Sequence, residues 1–438
     1  LLAQFARRLP FFYGWIVVAV VFVTMGVGVN ARTAFSLLFP PILQEFGWDR
    51  AVTAGAFSFG FMVSAFLSPV LGRMMDSRGP MIVSLIGVIA TVAGLLLATL
   101  AREPWHFYAT LGVLVAAGSV CLGYSCQALF LSAWFVRRRG LALSIAFAGV
   151  GVGSIVLLPL LQRIIEQSGW RAACLALGIF AALLLTPLVF LLRRRPENLG
   201  LLADGDERVT GAAGGAARPS NIVDPAWTAI EWTLARAMRT ARFWWLALAF
   251  FCALFMWYAV QVHQTKYLIE TGFTAHDAAL ALGAVSLAGV PGQIALGQLS
   301  DRIGREIVWS IGGIGFVLTY LALLALESNP SPVLLWVMVI AQGALGYGVT
   351  SVLGAVAAEI FDGPHYGSIF GTLMLAAISG GAIGPWMAGM VHDATGSYAI
   401  AWWISIGVSL MTIVGIWMAA PGKVRAVAGR IGRIRQAD

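Results

Sequence analysis

Four polar side chains standing inside long apolar runs carry the chemistry this sequence offers: Arg32, Tyr124, His263 and Tyr347. An arginine presents a planar fork of donors that grips a carboxylate through two parallel hydrogen bonds. Arg32 lies about 30 Å along its helix from Phe12 at 1.5 Å per residue, beyond the midplane of a bilayer. In that position it must meet a partner or a water-filled cavity. Binding an organic anion is the functional reading; an anchor reaching for the interface is the plainer one. His263 sits in the corresponding outer part of a later apolar run, with Lys266 and Tyr267 three and four residues on. A histidine there can take part in substrate binding or carry a proton with it, or serve only as a structural donor. Tyr124 and Tyr347 close two copies of Leu-Gly-Tyr, with Gln127 and Thr350 at i+3 of each. Each pair puts a polar strip on one helix face, suited to lining a cavity or to bonding a neighbouring helix. Asn30 lies about 200° around the helix from Arg32 and is set aside as a site residue.

What is absent bears equally on function. None of the 20 acidic residues falls near the middle of an apolar run, so a proton or cation relay through a buried carboxylate is not expected. A cavity whose fixed charge is positive suits an anionic substrate. No Walker A, H-E-x-x-H or G-x-S-x-G pattern occurs, which argues against a nucleotide-driven pump and against an enzyme. Cys121, Cys126, Cys174 and Cys252 all lie in apolar runs and pair in no metal-type or redox-type spacing. No metal and no cofactor is expected.

The elements that position these residues follow from composition. Of 438 residues 59% are hydrophobic and 11% charged, too few charges to cover a water-exposed surface. Lipid is the expected solvent, and twelve helices the expected response. They are predicted near 12–35, 51–72, 80–101, 106–134, 140–162, 172–192, 243–267, 276–299, 307–327, 331–359, 367–391 and 399–420. The first run leads directly into further apolar sequence and is expected to remain as a span. With both termini on one side, twenty-two of the 28 Lys and Arg residues fall on that side. That asymmetry predicts cytoplasmic termini and contact with anionic lipid rather than nucleic acid. The Gly-, Ala- and Arg-rich stretch 196–242 reads as a cytoplasmic linker between an N-terminal bundle (1–195) and a C-terminal bundle with a basic tail (243–438). Asp224 and Pro225 are predicted to start an amphipathic surface helix in it, with Trp227, Ile230, Leu234 and Met238 on one face.

The two halves repeat. GRMMDSRG at 72–79 and GQLSDRIG at 297–304 share Gly, Asp and Gly at one offset, which also pairs Glu45 with Glu270 and Gly47 with Gly272. These residues resemble the major facilitator superfamily, over nearly the whole chain. The resemblance implies an all-α fold of two pseudo-symmetric six-helix bundles. It also implies that Gly72, Asp76 and Gly79, with Gly297, Asp301 and Gly304, form conformational latches rather than substrate contacts. FYGW at 12–15, ARTAFSLLFPPILQEFGWDRA at 31–51, AWFVRRRGLALSIAFAGVGVG at 133–153 and RRRPENLG at 193–200 are similar to the monocarboxylate transporter and oxalate–formate antiporter branch. The resemblance puts Arg32 at the place of a cation in the first helix of such carriers. An Asp and an Arg of their eighth helix fall on Gly289 and Gln293 here, which leaves Gln293 as a neutral donor to an anion. A lysine of the eleventh helix has no counterpart between Gly367 and Val391.

The expectation is therefore a monomeric secondary transporter of small organic anions, monocarboxylate-like, in an inner or plasma membrane. It would work by alternating access, with proton symport or anion exchange, and with Arg32, Tyr124, His263, Gln293 and Tyr347 at the substrate. An exporter of hydrophobic or drug-like compounds on the same fold is the alternative.

Overall fold

In hydrocarbon every peptide group must find its partner within the chain, and a helix supplies those partners locally. The computed structural model, which describes residues 10–48, 50–205 and 221–430, is helical throughout; among these residues the one β-type pairing is an isolated bridge between Ile222 and Arg425. Among the described residues, ten stretches are long and apolar enough to cross a membrane. Two of them hold two expected spans each. Phe59–Ala98 parts at Gly79 (φ 79°, ψ 175°), and Arg139–Val189 parts at Gly169 (φ 82°, ψ 169°). Ten stretches with two such partings give the twelve spans read from hydropathy. The first is longer than expected: Gly14–Thr33 passes at Ala34 into a second helix, Phe35–Phe46.

Contacts divide the chain into two compact units, one of Leu1–Val136, Ile145–Arg208 and Phe370–Thr372, the other of Arg137–Ser144, Val209–Ile369 and Leu373–Asp438. In the first unit the first and fifth spans meet backbone to backbone. A Cβ on Gly149 would collide with the Phe22 carbonyl, and one on Gly153 with that of Gly26. Small residues permit such an approach. Asn30 then joins the two helices: its amide donates to Gly26 O and Val150 O, and Ser154 Oγ donates to its Oδ1. The seventh and eleventh spans of the second unit use the same device, with Gly380 against Phe251 and Gly384 against Phe255.

The fourth and tenth spans share another departure from regular helix. Each contains a π-helical segment, Tyr108–Val115 and Ala341–Leu345, a widened turn that shifts the faces of the helix beyond it. The fourth span also breaks at Gly123, in extended conformation, just before Tyr124. Gln127 answers the break by donating to the stranded carbonyl of Cys121 and to Ser84 Oγ. Its side chain is therefore a helix–helix tie, fully buried.

The linker differs from expectation. Residues 206–220 lie outside the described residues, and the chain beyond them forms two short helices, Pro225–Thr228 and Leu234–Met238, rather than one. Asp224 does cap the first, accepting Trp227 N–H at 2.9 Å. Thr233 ends the run by capping the second, since a side-chain acceptor at that point starts a new helix. The segment is also docked: Val223 N–H bonds Val424 O, Ala426 N–H bonds Asn221 O, and Trp227 Nε1–H donates to Ile360 O. Trp232 is buried against Trp227 and Phe361. These contacts hold the segment against protein, where the helical spacing predicted a helix lying on the membrane surface.

Candidate functional site

Arg32 occupies the last turn of Gly14–Thr33, half-buried, with its guanidinium 4.5 Å above the centre of the Phe61 ring. It lines a small recess with Ala31, Phe35, Leu38, Gly60 and Leu111. Gly60 matters there because the second span passes close to the Gly112 carbonyl of the fourth. Among the described residues no carboxylate lies within 4 Å of Arg32. The arginines that do find one in this unit stand elsewhere: Arg171 bonds Glu45 at 2.6 Å, and Arg194 faces Asp76 at 3.8 Å. Tyr124 begins the helix Tyr124–Trp134, half-buried, with its ring edge-on to Phe147 at 4.9 Å.

Three of the four fingerprint stretches of the first half meet at one place. Phe12 and Tyr13 pack against Trp134, and Phe12 and Trp15 against Phe135. Tyr13 O–H donates to Leu191 O and Trp134 Nε1–H to Arg193 O. These contacts hold one end of the unit together, while the fourth stretch, 31–51, carries Arg32 itself.

In the second unit the structure brings Gln293 and Tyr347 together. Gln293, buried, donates to Thr350 Oγ1 at 3.2 Å, and Thr350 donates to Tyr347 O at 2.9 Å. The Tyr347 ring lies against Gly289, where an added Cβ would stand 2.5 Å from it. That ring fills the space a side chain at Gly289 would otherwise take. Trp257 meets the same ring edge to face at 4.6 Å.

His263 is turned to other partners. One ring nitrogen, Nε2, lies 2.9 Å from Pro385 O and the other, Nδ1, lies 3.1 Å from Tyr398 Oη. A carbonyl only accepts, so Nε2 carries the proton; in the neutral ring Nδ1 then accepts from the tyrosine hydroxyl. Tyr267 also touches Tyr398, ring to ring at 5.6 Å, while its own hydroxyl donates to Leu323 O. Around Tyr398 lie His392, its ring tilted by 30° at 4.2 Å, and Glu270, which is within 3.8 Å of His392 and 3.5 Å of Lys266.

The paired loops repeat one backbone device. Gly79 and Gly304 both stand at positive φ directly before a helix, Pro80–Ala98 and Arg305–Ser328. Asp301 accepts the N–H groups of Gly140 and Leu141, both at 3.0 Å, in the first turn of the fifth span. There the helix dipole favours an anion. Arg305, buried, bridges Asp301 at 2.6 Å and Glu359 at 2.8 Å.

Sequence reasoning passed over Trp257, Tyr258, Gln261 and Ser286. The available signal was Trp-Tyr with Gln at i+4 of the tryptophan in an otherwise apolar helix.

Comparison with known proteins agrees with this architecture. The model of the Major Facilitator Superfamily matches residues 16–274 and 265–433. Monocarboxylate transporter 13 of Bos taurus is 24% identical over 415 residues, covering 93% of this chain and 89% of that protein. Monocarboxylate transporter 11 of Mus musculus is 26% identical over 403 residues, covering 88% and 83%. Among solved structures the proton:xylose symporter XylE bound to 6-bromo-6-deoxy-D-glucose superimposes with a TM-score of 0.75 at 13% identity, covering 96% of this chain and 99% of its own. The transporter FucP in its outward conformation gives 0.66 at 16%, covering 92% and 97%. This chain belongs to the Major Facilitator Superfamily: it is a multi-pass membrane transporter related to the monocarboxylate transporters, and not an enzyme.

Proposed function

We propose that this transporter carries small organic anions bearing one carboxylate, by alternating access of its two six-helix halves (1–195 and 243–438). The observation that carries the reading is Arg32, a charged fork inside a span, partly open, resting on Phe61 with no carboxylate close by among the described residues. A guanidinium in that surrounding is costly without a counter-charge, and an incoming carboxylate supplies one with two hydrogen bonds. The curated relatives named as monocarboxylate transporters support the same substrate class.

Tyr124, Gln293 and Tyr347 contribute uncharged donors. His263 is the proton-coupling residue: protonation keeps the bond to Pro385 O and reverses the one to Tyr398, whose oxygen then accepts. Asp301 and Gly297, with their counterparts Asp76 and Gly72, act as latches at the loops that Gly79 and Gly304 close. The two hydrogen bonds from the first turn of the fifth span to Asp301 support that role. Both termini face the cytoplasm of a cell bounded by this membrane.

Uptake of labelled carboxylates into proteoliposomes, with and without a pH gradient, tests the proposal. Saturable uptake of a monocarboxylate that Arg32→Gln weakens and His263→Gln uncouples from the gradient is the expected result. Parental uptake by both variants would refute the site.

A further inference from the structure

Four helices of the second unit bring aromatic and amide side chains together in a patch that carries no formal charge. Trp257 and Tyr258 are neighbours on Ala241–Glu270, and Gln261, one turn on, accepts Trp257 Nε1–H at 2.7 Å. Trp257 meets Tyr347 edge to face. Tyr347 packs on Gly289, one turn beyond Ser286 on Ala275–Ile303. Tyr258 rests against Gly381 of the eleventh span as Tyr347 rests against Gly289 of the eighth; a Cβ at Gly381 would come within 2.8 Å of its ring. Trp257, Tyr258 and Tyr347 are half-buried and Gln261 is exposed.

Polar groups partly open within a span face a watery interior rather than lipid. The two glycines supply room into which rings settle, so the aromatic wall is set by the backbone and not by chance packing. A wall of rings with a few fixed donors and no charge favours another ring, through area and through edge-to-face attraction. It offers no partner to a second carboxylate, whose burial here would be costly.

We infer that the transported anion is a monocarboxylate bearing a planar aromatic or unsaturated ring, and that the ring is seated on Trp257, Tyr258 and Tyr347. This rests on the anion reading above and adds the substrate class: short aliphatic acids leave the patch unused.

Three probes separate the two ideas when titrated into the full chain in lipid nanodiscs: 3-phenylpropanoate, propanoate and the uncharged 3-phenylpropanamide. The expected preference for 3-phenylpropanoate over propanoate is about fivefold or more, the size of an edge-to-face contact with its burial. That ratio falls toward one in Tyr347→Ala, in Trp257→Ala and in Gly289→Ala, whose added methyl displaces the Tyr347 ring. Tyr347→Phe keeps the volume and the ratio, which guards against simple misfolding. A ratio near one in the parent, or one that survives Tyr347→Ala and Trp257→Ala, overturns the inference. If the amide binds in a Tyr347-dependent way and neither acid binds, the ring surface stands and the anion reading falls. If no probe binds, both fall.

Discussion

On the proposed reading, single side chains decide the cargo. Arg32 rests on Phe61, and stacking suits the flat, delocalised guanidinium better than a compact ammonium. Replacing it by lysine keeps the charge and discards the fork, so Arg32→Lys should retain weakened uptake. Arg32→Gln should raise the half-saturating carboxylate concentration by about tenfold to a hundredfold, the worth of hydrogen bonds to a charged group; equal values for the two variants would count against a bidentate grip. Gln264 makes the opposite case. It is fully buried and neither its Nε2 nor its Oε1 has a partner among the described residues. Replacing an unsatisfied polar group by an apolar one of similar shape is neutral or stabilising. Gln264→Leu is thus expected to hold or raise the unfolding temperature, and a clear fall would show that a partner exists. Glu45 bears on acid stability. Hydrogen bonds from Arg171 and Trp170 hold its carboxyl below the usual carboxylate range. A lowered folded-state value stabilises above the unfolded one and is lost as pH falls through it. The parent should therefore lose its advantage over Glu45→Gln below about pH 4, modestly, because the pair is 40% exposed on both sides. Arg32 and His263 stood out in the sequence because a charge or an imidazole is foreign to an apolar run. Trp257 did not. A tryptophan in such a run reads the same whether it lines an interior or faces lipid, as the exposed Trp244 and Trp403 show.

At the scale of elements, hydropathy located all twelve spans, since each must be about 20 apolar residues long. It could not show how spans are joined or bent. Gly79, Gly169 and Gly304 each turn one helix into the next in a backbone region that is essentially closed to side chains. The motif letters marked Gly79 and Gly304 but gave no reason to single out Gly169, which lies outside the two paired loop motifs. Alanine at any of the three should cost about 1–3 kcal/mol of stability, read as a lowered unfolding temperature in detergent. Gly407, whose added Cβ would meet nothing within 4 Å, is the control and should tolerate alanine with little more than a propensity effect. The π segments of the fourth and tenth spans were also invisible to periodicity, because a widened turn shifts the apolar face without changing composition. The linker misled for a related reason. Helical spacing at Trp227, Ile230, Leu234 and Met238 was real in the sequence, yet Thr233 offered its hydroxyl to a new helix start and protein contacts claimed Trp232.

For the whole molecule, the distribution of basic residues and the even number of spans must agree on one orientation. Loops rich in Arg resist transfer across a membrane, and four of the five connections on the linker's side carry arginine. Glu103 and Asn329, both exposed, precede the fourth and tenth spans and so stand on the opposite side, whereas exposed Glu197 shares the linker's side. The native cysteines are all buried, so a thiol introduced at the surface can be read against a quiet background. In intact cells a membrane-impermeant maleimide should label Glu103→Cys and Asn329→Cys at once, and Glu197→Cys only after permeabilisation. The reverse pattern would place the termini outside and with them the basic face of the protein. It would also move Arg32 from the outer to the inner half of its span, so the anion would first meet the guanidinium from within the cell. Orientation and direction of capture are thus a single question, and three labelling reactions answer it before any substrate is known.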